Sequence, residues 1–267
     1  MPVGIVGVGQ MGFPIARRLL DRGQSVVFHA RRAEVAAALT SLGATRGESL
    51  EDLADACDVV IVCVYDDRQV RDVCLGQDGL LGHLSPGSVL INHTTCDPYT
   101  VRSIAEQAES KEVGVVDAAL SGSPANISEG RLILWVGGRD NLLRRVDPIM
   151  RSYADPVIHV GDVGDGQWVK LVNNALFAAN VALVSQAEHV LRQVGIPSLR
   201  ALEAIQYGSG DSRAMGMVIS FGDSDALVSV AGRFIRKDVQ TVMRVAVERR
   251  IEMGVLGQVV HSMGEQA

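Results

Sequence analysis

The chain opens with "VGIVGVGQMGFPIARRLL" (residues 3–20), a segment that leaves the backbone little choice. A β-rich run leads straight into Gly7-x-Gly9-x-x-Gly12, and a helical pattern follows at once. Glycines at this spacing permit a tight turn, close approach of backbone to a pyrophosphate, and close packing of helix on strand. The helix start then offers phosphates its unpaired N–H groups and the positive end of its dipole. The expectation is a strand–turn–helix unit at the start of a sheet, with Gly7, Val8, Gly9, Gln10, Met11 and Gly12 around a dinucleotide.

The rest of the first part keeps this alternation. β-rich runs at 3–7, 25–29, 58–64, 88–92, 113–118 and 132–136 are separated by helical patterns near 10–22, 33–42, 67–75 and 98–109. The first four runs are almost continuously apolar, as parallel strands covered on both faces require. Alternating strand and helix predicts an α/β fold, a Rossmann-type doubly wound sheet, over residues 1–162. Beyond about residue 160 the strand signals stop. A long connecting helix is expected at about 165–194, ended by Gly195 and Pro197, with further helices broken at 207–212 and 221–225. Residues 163–267 are therefore expected to form an all-α C-terminal domain.

Composition narrows the function classes. With 267 residues, 47% of them hydrophobic, the chain can bury a sizeable core. A net charge of -6 and 4% aromatics argue against nucleic acid as a partner. Cys57, Cys63, Cys74 and Cys96 form no CxxC pair and no zinc spacing. They read as buried small side chains in a reducing compartment, and no metal site is expected. The apolar run at 171–184 is broken by Asn173, Asn174 and Asn180 and falls short of the roughly 20 residues of a membrane span. The glycine motif begins within ten residues of Met1, so no leader is expected ahead of it. A cytoplasmic protein with no membrane partner is expected.

The end of the second strand bears on which dinucleotide is bound. NAD readers usually place an acid about 20 residues beyond the glycines, for the ribose 2′-hydroxyl. Here the strand ends "FHARRAE", with Ala30 in that place and Arg31 and Arg32 after it. Cations at a helix start oppose its dipole. A 2′-phosphate would offset that cost, and guanidinium suits phosphate geometrically. NADP(H) is expected in preference to NAD(H), against the plainer reading of two solvated arginines.

Two further stretches carry chemistry. In "DAALSGSPANISEGRLILWVGG" (117–138), Ser121, Gly122 and Ser123 fall at a strand's C-terminal end, where ligands bind in open α/β sheets. Exposed N–H groups and two hydroxyls there would cradle a carboxylate or a polarised oxygen; an ordinary helix-capping loop would read the same way. In "GDGQWVKLVNN" (164–174), Lys170 is the one cation in an otherwise apolar helix segment, with Asn174 one turn on along the same face. Partial desolvation would ready such a lysine for proton exchange near neutrality. A lysine snorkelling to water is the competing reading.

Taken together and in order, these stretches resemble the β-hydroxyacid dehydrogenase family, the group of 3-hydroxyisobutyrate dehydrogenase and 2-hydroxy-3-oxopropionate (tartronate semialdehyde) reductase. "GIVGVGQMGFPIARRLL" resembles its GxGxMGxPxAxxL opening, "DAALSGSPANISEGRL" its DAPVSGG…G-x-L loop, "GDGQWVKLVNN" its GxGxxxKxxNN helix, and "RKDV" (236–239) its KDL motif. The resemblance implies Lys170 as the catalytic lysine, Asn174 as an amide beside it, and Ser121 with Gly122 as the loop for substrate carboxylate and hydroxyl. It also implies cofactor contacts from Val64 and Tyr65, from Thr95 in "NHTTCDP" (92–98), and from Lys237. The chain departs from the pattern at Ala119, where Pro is usual, at Ser123, where a second Gly is usual, and at Tyr65, where Pro is common. A homodimer or homotetramer is implied by the family's helical domain.

The expected chemistry is hydride transfer between the nicotinamide and the hydroxyl or carbonyl carbon of a small β-hydroxy acid or semialdehyde carrying a carboxylate. Lys170 exchanges the proton, with Asn174 and Ser121 as partners in catalysis. Two rivals remain at this point. One is an imine reductase on the same scaffold, a group that tends to replace the lysine; the other is a non-catalytic NADP-binding module.

Overall fold

The computed structural model describes residues 2–265. Its first unit runs β1 (Val3–Val6), α1 (Gly12–Asp21), β2 (Val26–His29), α2 (Ala33–Ser41), β3 (Thr45–Arg46), α3 (Leu50–Ala56), β4 (Val59–Val62), α4 (Asp67–Leu75), α5 (Leu80–His83), β5 (Val89–Asn92), α6 (Pro98–Glu109), β6 (Gly114–Ser121), α7 (Pro124–Glu129), β7 (Leu132–Gly137), α8 (Asp140–Met150) and β8 (Ala154–Gly161). The strands form one sheet in the order β3-β2-β1-β4-β5-β6-β7-β8. The six from β3 to β6 are parallel, β7 is antiparallel to β6, and β8 is parallel to β7.

The apolar runs are explained by burial on both faces. β1, β4 and β5 are buried throughout. Ile5, Ile61, Ile91 and Val116 pack on one side with Ile15 and Leu19 of α1, Leu39 of α2 and Val146 of α8. Val60, Val62, Leu90 and Val115 pack on the other with Leu53 of α3, Val70 of α4, Leu80 of α5 and Ile104 of α6. Each such aliphatic side chain contributes about 1.5–3 kcal/mol when fully removed from water. This is the doubly wound α/β architecture expected from the alternation.

Two strands escape the sequence pattern. β3 has only two residues, both exposed. β8 is an edge strand whose run is interrupted by exposed Asp155, Pro156 and His159, so no apolar periodicity announces it. Proline is tolerated there because an edge strand has an unpaired side. β6 also runs through Ser121, beyond the expected end at 118.

The second unit is helical: α9 (Asp165–Gln193), α10 (Ser198–Ile205), α11 (Arg213–Phe221), α12 (Ser224–Arg249) and α13 (Gly254–Glu265). Along α9, Leu171, Ala175, Ala178 and Ala179 are buried with Val242 of α12 and Val260 of α13. Further on, Val181 and Val184 are buried with Leu202 of α10, Met215 and Val218 of α11 and Leu227 of α12. By length and composition α9 is apolar enough to cross a membrane, longer than the interrupted run at 171–184 suggests.

The chain divides into two compact units between Lys170 and Leu171, inside α9. The first turn of α9 is bonded to the sheet, as described next.

Candidate active site

Across the sheet, Val6, Val62, Asn92, Asp117, Gly137 and Gly161 stand in one register row. For the parallel strands β1, β4 and β5 this row is the C-terminal edge. The residues just past it are the ones the sequence singles out.

After β1 comes the glycine turn. Gly7 has φ +92°, and a Cβ there would lie 2.3 Å from the Cys63 carbonyl oxygen. A Cβ on Gly12 would lie 2.1 Å from the Gly7 oxygen. Both are backbone collisions that no rotamer can relieve. Gly9 is different, since a Cβ there would meet nothing within 4 Å. The middle glycine therefore faces open space, as close approach of a diphosphate demands. Met11, at the N-cap of α1, provides no side-chain cap, and the first turn holds no acid. The helix start thus keeps its positive character for an anion, and the turn fits a dinucleotide diphosphate. Val8 is buried, Met11 half-buried and Gln10 exposed.

The loop after β4 is clamped by a residue that sequence reasoning misses. Thr94 Oγ1 accepts from the Val64 N–H at 2.9 Å and donates to the Val64 carbonyl at 3.3 Å. Thr94 is in turn fixed by buried Asn92, whose amide donates to the Thr94 carbonyl (3.0 Å) and accepts from its N–H (3.3 Å). Thr94 is buried, whereas Thr95, the expected cofactor contact, is half-buried beside it. Tyr65 is 43% exposed, and its N–H donates to Gln69 Oε1 at 3.1 Å. Two adjacent threonines leave the sequence unable to say which one faces inward.

Between them and the core lies His93, 1% exposed. Its Nδ1 bonds the Ala118 carbonyl at 2.6 Å and its Nε2 the Tyr153 hydroxyl at 2.8 Å. A carbonyl only accepts, so Nδ1 carries the proton and Nε2 accepts from tyrosine. Burial pushes the imidazole down to about 4, against the opposing effect of the Ala118 bond, so it is neutral at physiological pH. It ties β5 to β6 and to the chain between α8 and β8.

Past β2, Arg31 and Arg32 are both exposed. Arg32 is the N-cap residue of α2, with no side-chain cap and an exposed ion pair to Glu34 at 3.8 Å. Such a pair contributes little and yields readily to a phosphate. Ala30, where an acid would hold a 2′-hydroxyl, is 6% exposed.

Ser121 ends β6, opposite Ile133 of β7, and Gly122 follows with φ +137°. Ser123, expected as a substrate contact, is engaged by the helix that follows. It is the N-cap of α7 in a capping box with Asn126. Its N–H and its hydroxyl both donate to Asn126 Oδ1 at 2.8 Å, and its oxygen accepts from the Asn126 N–H at 3.4 Å. The second serine serves the helix, and its N–H is engaged there. Ser121 and Gly122 remain as the substrate-facing candidates of this loop.

The first turn of α9 is bonded to the same edge. Asp117 and Gln167 are both 0% exposed. Asp117 Oδ2 accepts from the Gln167 N–H at 2.9 Å and Oδ1 from Gln167 Nε2 at 2.7 Å. Gln167 Oε1 then accepts from the Cys96 N–H at 2.9 Å. Burial pushes the Asp117 carboxyl up to about 6, despite hydrogen bonds from Gln167 and Gly164, and nearby Asp165 adds to the rise. Outside this trio, Arg102 donates to Asp165 Oδ1 (2.9 Å) and to the Val163 carbonyl (3.0 Å). Lys170 is half-buried, one turn past Gln167. The sequence flags the lysine but not the buried carboxylate that anchors its helix.

In the helical unit, the Asn174 amide donates to Asp238 Oδ2, and its oxygen accepts from Asn173 Nδ2 at 2.9 Å. Asp238 is 7% exposed, and its other oxygen lies 3.6 Å from Lys237 Nζ. Sequence reasoning names Asn174 and Lys237 but assigns no role to Asp238, which accepts from the Asn174 amide. Among the described residues, no three His, Cys, Asp or Glu side chains gather as a metal site.

The chain is similar to known proteins over most of its length. A family model described as the NAD binding domain of 6-phosphogluconate dehydrogenase matches residues 2–161. A second, described as NAD-binding of NADP-dependent 3-hydroxyisobutyrate dehydrogenase, matches residues 164–267. The chain is 31% identical over 214 residues to 2-(hydroxymethyl)glutarate dehydrogenase of Eubacterium barkeri, covering 80% of this chain and 71% of that protein. It is 30% identical over 216 residues to 2-hydroxy-3-oxopropionate reductase of Escherichia coli, covering 80% and 73%. In fold it is similar to the solved 3-hydroxyisobutyrate dehydrogenase of Mycobacterium tuberculosis with L-serine: TM-score 0.88, 22% identity, 100% of this chain and 93% of that one.

Proposed function

The chain belongs to the β-hydroxyacid dehydrogenase family and is a NAD(P)-dependent hydroxyacid dehydrogenase; from that premise we propose that it uses NADP(H) and acts on a small β-hydroxy acid or semialdehyde with Lys170 as general acid and base. The observation that carries this reading is the anchoring of Lys170. Its helix starts in hydrogen bonds to Asp117 and Cys96, at the sheet edge that also ends in the glycine turn, the Val64 loop and Ser121.

NADP(H), when bound, supplies or takes up the hydride. Gly7 to Gly12 would hold its diphosphate, Arg31 and Arg32 its 2′-phosphate, and Val64, Tyr65, Thr95 and Lys237 its remaining parts. Ser121 and the Gly122 N–H orient the substrate carboxylate. In reduction, the Lys170 ammonium gives a proton to the carbonyl oxygen as the hydroxyl forms. In oxidation, neutral Lys170 takes the hydroxyl proton. Asn174 orients substrate beside the lysine, and its own amide is set by Asp238. An active homodimer or homotetramer is part of the reading. It is supported by exposed Val172, Leu176, Leu183 and Val190, which recur along α9 at steps of four and seven, and sedimentation velocity checks it.

The experiment is a steady-state assay of NADPH oxidation with tartronate semialdehyde, small keto acids and cyclic imines. Turnover is expected with the carboxylate-bearing carbonyls. Lys170→Ala should keep NADPH affinity and lose about 10²–10⁴-fold in kcat. Turnover of imines alone, or near-normal kcat in that variant, would overturn the assignment. Arg31→Ala should weaken NADPH far more than NADH; equal effects on both would return the arginines to solvent.

A further inference from the structure

We propose that Asp117 is a positioning residue for Lys170, acting through Gln167 on the first turn of α9; the proposal rests on the reading of Lys170 as the general acid and base. The hydrogen-bond inventory is closed at both ends. The Cys96 N–H and the Gln167 N–H belong to backbone that is itself held, so both are fixed donors. Between them lie the Gln167 amide and the Asp117 carboxylate, which also accepts from the Gly164 backbone. The relay must accept at each end, and it does so in one way. Gln167 turns its oxygen to Cys96 and its NH₂ to Asp117, and Asp117 accepts with both oxygens. An ionised carboxylate fits this pattern, accepting with both oxygens in a place with no exposure to water.

The close approach is built in as well. A Cβ on Gly166 would lie 2.6 Å from the Trp135 oxygen and 2.9 Å from Asp117 Oδ2. One on Gly137 would lie 2.1 Å from the Asp162 oxygen. These glycines let the start of α9 sit against β6 and β7, where Asp117 can reach it. Gln167 precedes Lys170 by three residues, so a fixed Gln167 fixes the azimuth and depth of the lysine's Cα.

The donor arithmetic gives a test that bulk or burial alone cannot pass. Asp117→Asn places an NH₂ group against a donor, and no flip of Gln167 repairs it, because the clash only moves to Cys96. Adding Gln167→Glu repairs it. The side-chain amide introduced at position 117 then accepts from the residue 167 N–H and donates to the new carboxylate, which accepts from Cys96.

The full-length protein is assayed with NADPH and tartronate semialdehyde, or with the carbonyl acid that the wild type turns over fastest. Asp117→Asn should leave NADPH affinity within about twofold and KM within about threefold, and lower kcat by about 10²-fold, the scale of a misplaced catalytic group. The double variant should return kcat to within about fivefold of the wild type. In parallel, reductive methylation of Lys170 with ¹³C-formaldehyde is followed against pH by mass spectrometry. Its midpoint should shift in the single variant and return in the double.

Native kcat and native labelling in Asp117→Asn, or a folded double variant no better than the single, overturns the proposal. If Asp117→Asn does not fold, Gln167→Ala carries the same expectations for kcat, KM and labelling. If the wild type turns over no carbonyl acid, the functional reading fails, and the labelling of Lys170 alone decides whether Asp117 positions it.

Discussion

The two stretches of α9 are held by different chemistry. Its first turn is fixed by directional bonds: Gln167 to Asp117 and Cys96, Arg102 to Asp165. Its later turns are held by non-directional burial of Leu171, Ala175, Ala178, Val181 and Val184 among the helices of its own unit. Hydrogen bonds at 2.7–2.9 Å specify position and azimuth. Apolar packing supplies more free energy but tolerates small shifts at modest cost. Lys170, the proposed general acid and base, stands next to the directional end.

The contrast is broken most forcefully from the apolar side. Leu171 has no exposure and packs with Val242 and Val260. Leu171→Ala should cost about 2–5 kcal/mol in a denaturant melt. NADPH affinity should fall far less than stability does, because the glycine turn lies in the other unit and, of the proposed cofactor contacts, Lys237 alone belongs to the helical one. A loss of cofactor binding without a loss of stability would mean that the division of labour along α9 is wrong.

The directional end is also the harder one to read from sequence. Gly7 and Gly12 are legible because a backbone collision admits one residue type, and the type is written in the chain. The parallel strands are legible because burial on both faces demands continuous apolar runs. Ser123 is ambiguous, since capping and ligand cradling both ask for serine. The Ser-Pro-x-Asn spacing, a proline at the first helical position and a hydrogen-bonding side chain at the third, favours the cap. Asp117 escapes notice although it is a lone carboxylate in the run "VGVVDAAL", as conspicuous as a lysine on an apolar helix. Its partner lies fifty residues on, and no local rule pairs them.

A pH series sharpens the comparison, because two buried groups behind this edge lean opposite ways. Asp117 is raised from 3.8 to about 6, so between those values the folded state holds a proton that the unfolded state has released. Its contribution to stability therefore falls as pH rises through that window. His93 is lowered from 6.5 to about 4, so there the unfolded state holds the extra proton, and stability falls as pH drops. The two slopes nearly cancel in the wild type. His93→Gln should uncover the first, gaining about 1–2 kcal/mol relative to wild type between pH 6 and 4.5. Asp117→Asn should uncover the second, losing about as much over the same range. Parallel slopes in the two variants would mean that one of these groups does not titrate as its burial dictates.

The smallest effect is expected from the outer clasp of the same turn. Arg102 and Asp165 are each 36% exposed, so water and salt screen their attraction. Asp165→Asn keeps an oxygen for the Asp162 N–H and removes the charge. It should cost less than about 1 kcal/mol, with the gap to the wild type shrinking in about 0.5 M salt. Its effect on kcat should be slight beside that of Asp117→Asn. A kcat loss as large as that of the buried variant would move the anchor of Lys170 from Asp117 to this surface pair. The trio at Asp117 would then be left as a fold element alone.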